Sequence, residues 1–132
     1  MPATAKSHAS RSRRLSSPIV IAVVDDDPDV RRSLDSLLRS AGIACCSFAC
    51  AADLLAADEA AFDCVVTDIN MPGMTGLELQ AEMARRGWHH RVILMTAYAT
   101  AATREQGIAA GATAFLTKPI DPDQLLEAIG SA

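Results

Sequence analysis

From residue 18 onward the chain alternates two textures. Short apolar runs occupy 19–24, 43–48, 64–67, 92–95 and 114–116. Their brevity and their Val and Ile content predict strands buried on both faces. Between them, apolar residues recur at helical spacing: Val30, Leu34, Leu37 and Leu38, then Leu77, Leu79 and Met83, then Leu125, Leu126 and Ile129. Such stripes are the buried faces of amphipathic helices. The pattern reads as five strand-then-helix units. Alternation of that kind implies an α/β fold, a single doubly wound five-stranded parallel sheet with helices on both faces.

The helix ends are marked by local chemistry. Asp27 before Pro28 places a capping acid ahead of a proline at the first helical position, and Asp121 before Pro122 repeats the arrangement with Gln124 three residues after the cap. Thr75 and Glu78 have capping-box spacing. Gly42, Gly87 and Gly111 stand where helices should end. The segment 100–110 has the weakest helical pattern, because its threonines and Gly107 lower helix propensity, and it is expected to be loosely held. No glycine-rich loop follows the first strand, which argues against a dinucleotide site or a P-loop.

Composition narrows the class. At 132 residues the chain suits one domain with a real core, and 50% hydrophobic residues exclude a disordered chain. No apolar run is long enough to span a bilayer, and no apolar signal-peptide core opens the sequence, so a cytoplasmic location is expected. Residues 1–17 hold Lys6, Arg11, Arg13 and Arg14 and no acid; they are read as a basic flexible tail, with the domain at 18–132. The remainder holds all 16 acids and 8 of the 12 bases, a net of −8, and is not itself a nucleic-acid surface. Cys45, Cys46, Cys50 and Cys64 lack zinc-ligand spacing and read as small buried hydrophobes in a reducing compartment.

In open sheets of this type ligands bind beyond the carboxyl ends of the strands. Asp25, Asp26 and Asp27 follow the first run, Asp68 the third, Thr96 the fourth, and Lys118 with Pro119 the fifth. Taken singly each has an ordinary explanation: Asp27 as a helix cap, Thr96 as a strand-end threonine, Lys118 as a solvated cation. As an ordered set they would bring several carboxylates, a hydroxyl and an ammonium to one edge. Crowded carboxylates repel, and a hard cation removes the conflict. Oxygen ligands in an incomplete cage suit Mg²⁺, with Mn²⁺ as an alternative. Metal, cationic clamp and carboxylate nucleophile are the parts that phosphoryl transfer needs.

At this point the chain resembles a known family. Residues 23–27 (VVDDD), 66–76 (VTDINMPGMTG), 95–97 (MTA) and 115–119 (FLTKP) resemble the four signature blocks of response-regulator receiver domains of two-component signalling, in order and at family spacing over about 18–130. The resemblance implies the flavodoxin-like strand order 2-1-3-4-5. It implies Asp68 as phosphoacceptor, Asp25 and Asp26 as the acidic pair for Mg²⁺, and the Asn70 backbone carbonyl as a further ligand. Thr96 is similar to the switch hydroxyl, Lys118 to the lysine that contacts the phosphoryl group, and Phe115 to an aromatic that moves inward on activation. Ala97 leaves room at the site, residues 71–75 form a loop over it, and the Lys118–Pro119 bond is expected to be cis.

The implied partners are a sensor histidine kinase or a histidine phosphotransfer protein. The implied output is self-association or partner binding through the fourth helix, fifth strand and fifth helix. On this reading the domain is no enzyme beyond assisting its own phosphorylation and the hydrolysis of its acyl phosphate. The motif style resembles receivers that precede LuxR-type DNA-binding domains, so transcriptional output is one alternative, though no output domain follows in this sequence. A phosphatase similar to haloacid dehalogenases is another, but those enzymes carry a second acid where this chain has Asn70. A phosphorylation-independent interaction domain is disfavoured because every site residue is present. His89 and His90 are read as surface residues remote from Asp68.

Overall fold

The computed structural model describes residues 19–130. The predicted basic tail, 1–17, lies outside the described residues. Five strands, β1 (Val20–Val24), β2 (Ala44–Phe48), β3 (Cys64–Asp68), β4 (Arg91–Thr96) and β5 (Ala114–Thr117), form one sheet in the order β2-β1-β3-β4-β5, with every pair parallel. The helices are α1 (Pro28–Ser40), α2 (Ala51–Leu55), α3 (Gly76–Arg85), α4 (Ala101–Ala109) and α5 (Pro122–Gly130), with a 3₁₀ turn at Glu59–Ala61.

The strand period sorts the core into two layers. Ile21, Val23, Val66, Ile93 and Met95 face Leu34 and Leu38 of α1 and Leu125 and Ile129 of α5. Ala22, Val24, Val65 and Leu94 face the other way, onto Leu54 of α2 and Leu79 and Met83 of α3. The fold class and strand order expected from the sequence are both present. Among the described residues, no helix is long and apolar enough to cross a membrane.

The predicted helix ends hold. Asp27 Oδ1 accepts from the Asp29 amide at 2.9 Å, Thr75 and Glu78 form a reciprocal capping box, and Asp121 Oδ1 accepts from the Asp123 amide at 2.9 Å. Gly42, Gly87 and Gly111 all have positive φ. The strand bounds differ by one residue or so. β1 and β2 begin one residue later than their apolar runs, and β3, β4 and β5 end on Asp68, Thr96 and Thr117. Polar residues at strand ends carry no hydrophobic signal, yet Asp68 is in register with Met95. The short helix α2 and the 3₁₀ turn left no periodic trace, since each is too short for one. In 100–110 the threonines that lower propensity inside a helix sit at its start, where Thr100 and Thr103 form a capping box.

Two side-chain expectations are corrected. Only Cys64 is buried; Cys45, Cys46 and Cys50 are half-buried, and all four are free. Burial pushes the Cys45 and Cys64 thiols up to about 11. His89 is exposed, but His90 is half-buried, because its ring packs 4.8 Å from Phe62 and its Nε2 lies 2.7 Å from the Glu59 carbonyl.

Candidate functional site

The parallel order sets β1, β3, β4 and β5 side by side, so their carboxyl ends meet at one edge. Asp25 directly follows β1 and is fully buried. Its Oδ1 accepts from the Asp27 amide at 2.9 Å, and its carbonyl accepts from Arg31 Nη1 at 2.6 Å. Asp68 closes β3 at 5% exposure, and Asp26 is exposed at the rim. Carboxylate oxygens of Asp25, Asp26 and Asp68 all lie within 4.8 Å of one another. Lys118 reaches in from the end of β5, with Nζ 2.7 Å from Asp25 Oδ2 and 3.4 Å from Asp68 Oδ1. Its bond to Pro119 is cis.

The charges are in conflict. Burial pushes the Asp68 carboxyl above its usual range, the Asp25 charge pushes the same way, and Lys118 only partly offsets them. Burial pulls the Lys118 ammonium down, but its hydrogen bond to Asp25 and the charges of Asp25 and Asp68 outweigh that and hold it above its usual value. Three carboxylates with an ammonium between two of them form a site with more negative charge than it can hold comfortably. The donor set is all oxygen, which fits a hard divalent cation.

Thr96 ends β4 and is 1% exposed. Its hydroxyl donates to Asn70 Oδ1 at 2.7 Å and accepts from the Tyr98 amide at 3.0 Å. The bond from Thr96 to the Asn70 side chain was not foreseen, since sequence reasoning assigned Asn70 only through its carbonyl. Phe115 is buried on β5 in register with Leu94, while Thr96 is in register with Thr117. Residues two apart share a face of a strand, so Thr96 and Phe115 are diagonal neighbours on the same face. The loop after β3 folds back sharply. The Gly76 amide donates to the Ile69 carbonyl at 2.9 Å, and a Cβ on Gly76 would stand 2.3 Å from the Asp68 carbonyl oxygen. Only glycine allows that approach.

Beside the acidic pocket runs a largely apolar groove of about 410 Å³, bounded by Val30, Leu34 and Leu37 of α1 on one side and Pro119 and Ile120 on the other. Lys118 lines both the groove and the acidic pocket.

A family model described as response regulator receiver domain matches residues 21–130. The chain is 40% identical over 111 residues to the transcriptional regulatory protein FixJ of Azorhizobium caulinodans, covering 83% of this chain and 52% of that protein. It is 34% identical over 118 residues to nodulation protein W of Bradyrhizobium diazoefficiens, covering 89% and 52% respectively. The chain therefore spans about half the length of these curated relatives. Among solved structures, the response regulator StyR superposes with a TM-score of 0.78 at 37% identity, covering 86% of this chain and 58% of that one.

Proposed function

The chain belongs to the response-regulator receiver family, whose standard mechanism is phosphorylation by a histidine kinase, and from that premise we propose that Asp68 is its phosphoacceptor. The observation that carries this reading is the convergence of Asp25, Asp26, Asp68 and Lys118 on one pocket. In the proposed transfer an Asp68 carboxylate oxygen attacks the phosphorus of a phosphohistidine. The new O–P bond forms as the N–P bond breaks, and the donor imidazole leaves with a proton from solvent. Asp25, Asp26 and Asp68, with the Asn70 backbone carbonyl, would hold Mg²⁺, or Mn²⁺ in its place. When bound, the ion neutralises the carboxylates and the charge on the transferring phosphoryl oxygens. Lys118 would hold a phosphoryl oxygen as a point charge, and Thr96 would donate its hydroxyl to another. Phe115 would then repack beside Thr96.

The donor is a sensor histidine kinase or a phosphotransfer protein. The groove beside α1 offers an apolar seat for one of the donor's helices, and its shared wall at Lys118 would bring the phosphohistidine to the pocket. The domain turns over no external substrate beyond assisting its own phosphorylation and the hydrolysis of its acyl phosphate. Its action is cytoplasmic, and its output passes through α4, β5 and α5 by self-association or by a partner, including a DNA-binding unit of the same protein.

Acetyl phosphate with Mg²⁺ should add one phosphoryl group by intact mass, labile to hydroxylamine. Asp68→Asn should abolish the addition. Wild-type phosphorylation of Asp68→Asn would defeat the assignment.

A further inference from the structure

Helix α4 is joined to the body of the molecule at one end. Gly107 is its one buried residue, while its neighbour Ile108 is 45% exposed. The backbone at Gly107 lies so close to β4 that a Cβ there would stand 2.4 Å from Leu94 Cδ1. At the same residue Gln80 of α3, only 5% exposed, donates from Nε2 to the Gly107 carbonyl at 3.1 Å. That carbonyl also accepts from the Ala112 amide at 3.0 Å, while the Gly111 amide bonds to the Ile108 carbonyl at 3.0 Å, so the helix closes in a Schellman arrangement. Gln80 therefore occupies the second lone pair of the carbonyl that terminates α4.

The orientation of the Gln80 amide is settled by chemistry, because the flipped amide would set oxygen against oxygen. Its Oε1 is buried with no partner among the described residues. An unbonded buried carbonyl is unfavourable, and an apolar side chain of the same length would avoid it. The residue's contribution is thus its donor.

The other end of α4 is closed on itself. Thr100 and Thr103 cap one another, and the link onward is soft: the Arg104 guanidinium lies 5.8 Å over the Phe115 ring. Just upstream, Tyr98 is 76% exposed, and its amide hangs on the Thr96 hydroxyl at 3.0 Å. Any displacement of that hydroxyl pulls on the segment leading into the amino end of α4.

We infer that Gln80 is a positioning residue that pins the carboxyl end of α4 through Gly107, so that the helix answers events at Thr96 by swinging about that end instead of shifting as a body. The swing rests on the phosphoacceptor reading of Asp68; the anchor does not.

Amide exchange on the unmodified protein tests the anchor. Amides 110–112 should exchange at least about fivefold more slowly than 104–106, the factor that one net hydrogen bond supports. A flat or reversed gradient overturns the anchor, and this measurement needs no variant. Gln80→Met keeps length and volume but loses the donor. It should speed exchange at 107–112 by about fivefold to tenfold while β1 and β3 are unchanged. Uniform acceleration across the sheet, or no acceleration, means Gln80 is ordinary packing.

The swing has its own readout. Tyr98 is the single tyrosine, so 3-fluorotyrosine labelling gives one ¹⁹F resonance. Beryllofluoride with Mg²⁺ should move that resonance and leave the Gln80 side-chain NH₂ cross-peaks in place. Movement of both overturns the swing. Movement of neither overturns the swing alone, because the acetyl phosphate mass addition decides the Asp68 reading and the exchange gradient decides the anchor.

Discussion

At the amino end of the sheet, Phe62 packs against Trp88 and His90, with ring centroids 6.0 and 4.8 Å away. At the carboxyl end, Asp25 and Asp68 are buried beside Lys118 with Asp26 at the rim. The same five strands run between them. The aromatic end lowers the free energy of the fold by burial and ring packing, with one polar contact from His90 to the Glu59 carbonyl, and asks nothing of a ligand. The acidic end raises it near neutral pH, where Lys118 offsets only part of the conflict and a divalent cation would relieve the rest. Mutations at the two ends should therefore have opposite signs on stability, and only one end should matter for chemistry.

The largest effect is expected at the aromatic end. Phe62 is 2% exposed, so Phe62→Ala removes a buried ring and should cost about 3–5 kcal/mol. Urea unfolding measures it. The surviving folded fraction should still take one phosphoryl group from acetyl phosphate. If phosphorylation of folded protein were lost as well, the two ends would be coupled and the contrast would fail.

At the acidic end the sign should reverse. Asp68→Asn should stabilise the metal-free protein by about 1–3 kcal/mol, the usual size of a functional-site trade-off. The pH dependence follows from the raised Asp68 pKa. A carboxyl whose folded value is raised contributes stability that is fully present below its ordinary value of 3.8 and is lost as pH rises through the higher folded value. The advantage of Asp68→Asn should therefore be small near pH 3 and should grow toward neutrality. Mg²⁺ at one hundred times its Kd should stabilise wild type by about 2.7 kcal/mol and the variant less. Melting curves across pH, with and without Mg²⁺, decide it. A variant less stable than wild type at neutral pH without metal would mean that the acids do not burden one another.

Thr96→Ala separates taking the phosphoryl group from responding to it. The hydroxyl is buried and makes two hydrogen bonds, so its loss should cost about 1 kcal/mol. Phosphorylation on Asp68 should persist. The change in amide exchange over 96–120 that accompanies it in wild type should vanish. Equal changes in both proteins would remove Thr96 from the route to the surface.

The contrast also governs what could be read in the sequence. The acidic end was legible because polar residues at strand ends are conspicuous against apolar runs, and because Asp25, Asp68, Thr96 and Lys118 fall at successive ends. Caps such as Asp27 and Thr75 were legible because their chemistry is local. The aromatic end was not, since Phe62 comes from a different segment than Trp88 and His90 and nothing in the sequence brings the two segments together; His90 was accordingly misplaced on the surface. Gln80 was invisible for the same reason, its partner Gly107 lying on another helix. Asn70 fell between the two cases: it was singled out for its backbone carbonyl, but the bond from Thr96 to its side chain depends on how a loop and a strand end meet.

That bond gives the smallest effect. In this structure the Thr96 hydroxyl donates its only proton to Asn70 Oδ1. To donate to a phosphoryl oxygen on Asp68, the Thr96 hydroxyl would have to give up its hydrogen bond to Asn70 Oδ1. Asn70 is exposed, so water competes for its oxygen and the bond is worth little, about 0.5 kcal/mol at the lower end for a net hydrogen bond. Asn70→Ala should therefore barely change the melting temperature. It should tilt the balance toward the switched state, because a ligand shifts an equilibrium only by its differential affinity and the variant removes a contact made only in the unswitched state. Beryllofluoride should bind about twofold more tightly to Asn70→Ala, by the same half kilocalorie. Mg²⁺ affinity should be unchanged, because the ligand assigned to Asn70 is its backbone carbonyl, which alanine keeps. Calorimetric titration of both ligands separates the roles. Weaker Mg²⁺ binding with unchanged beryllofluoride affinity would make the Asn70 side chain part of the metal site and would leave Thr96 with no latch to release.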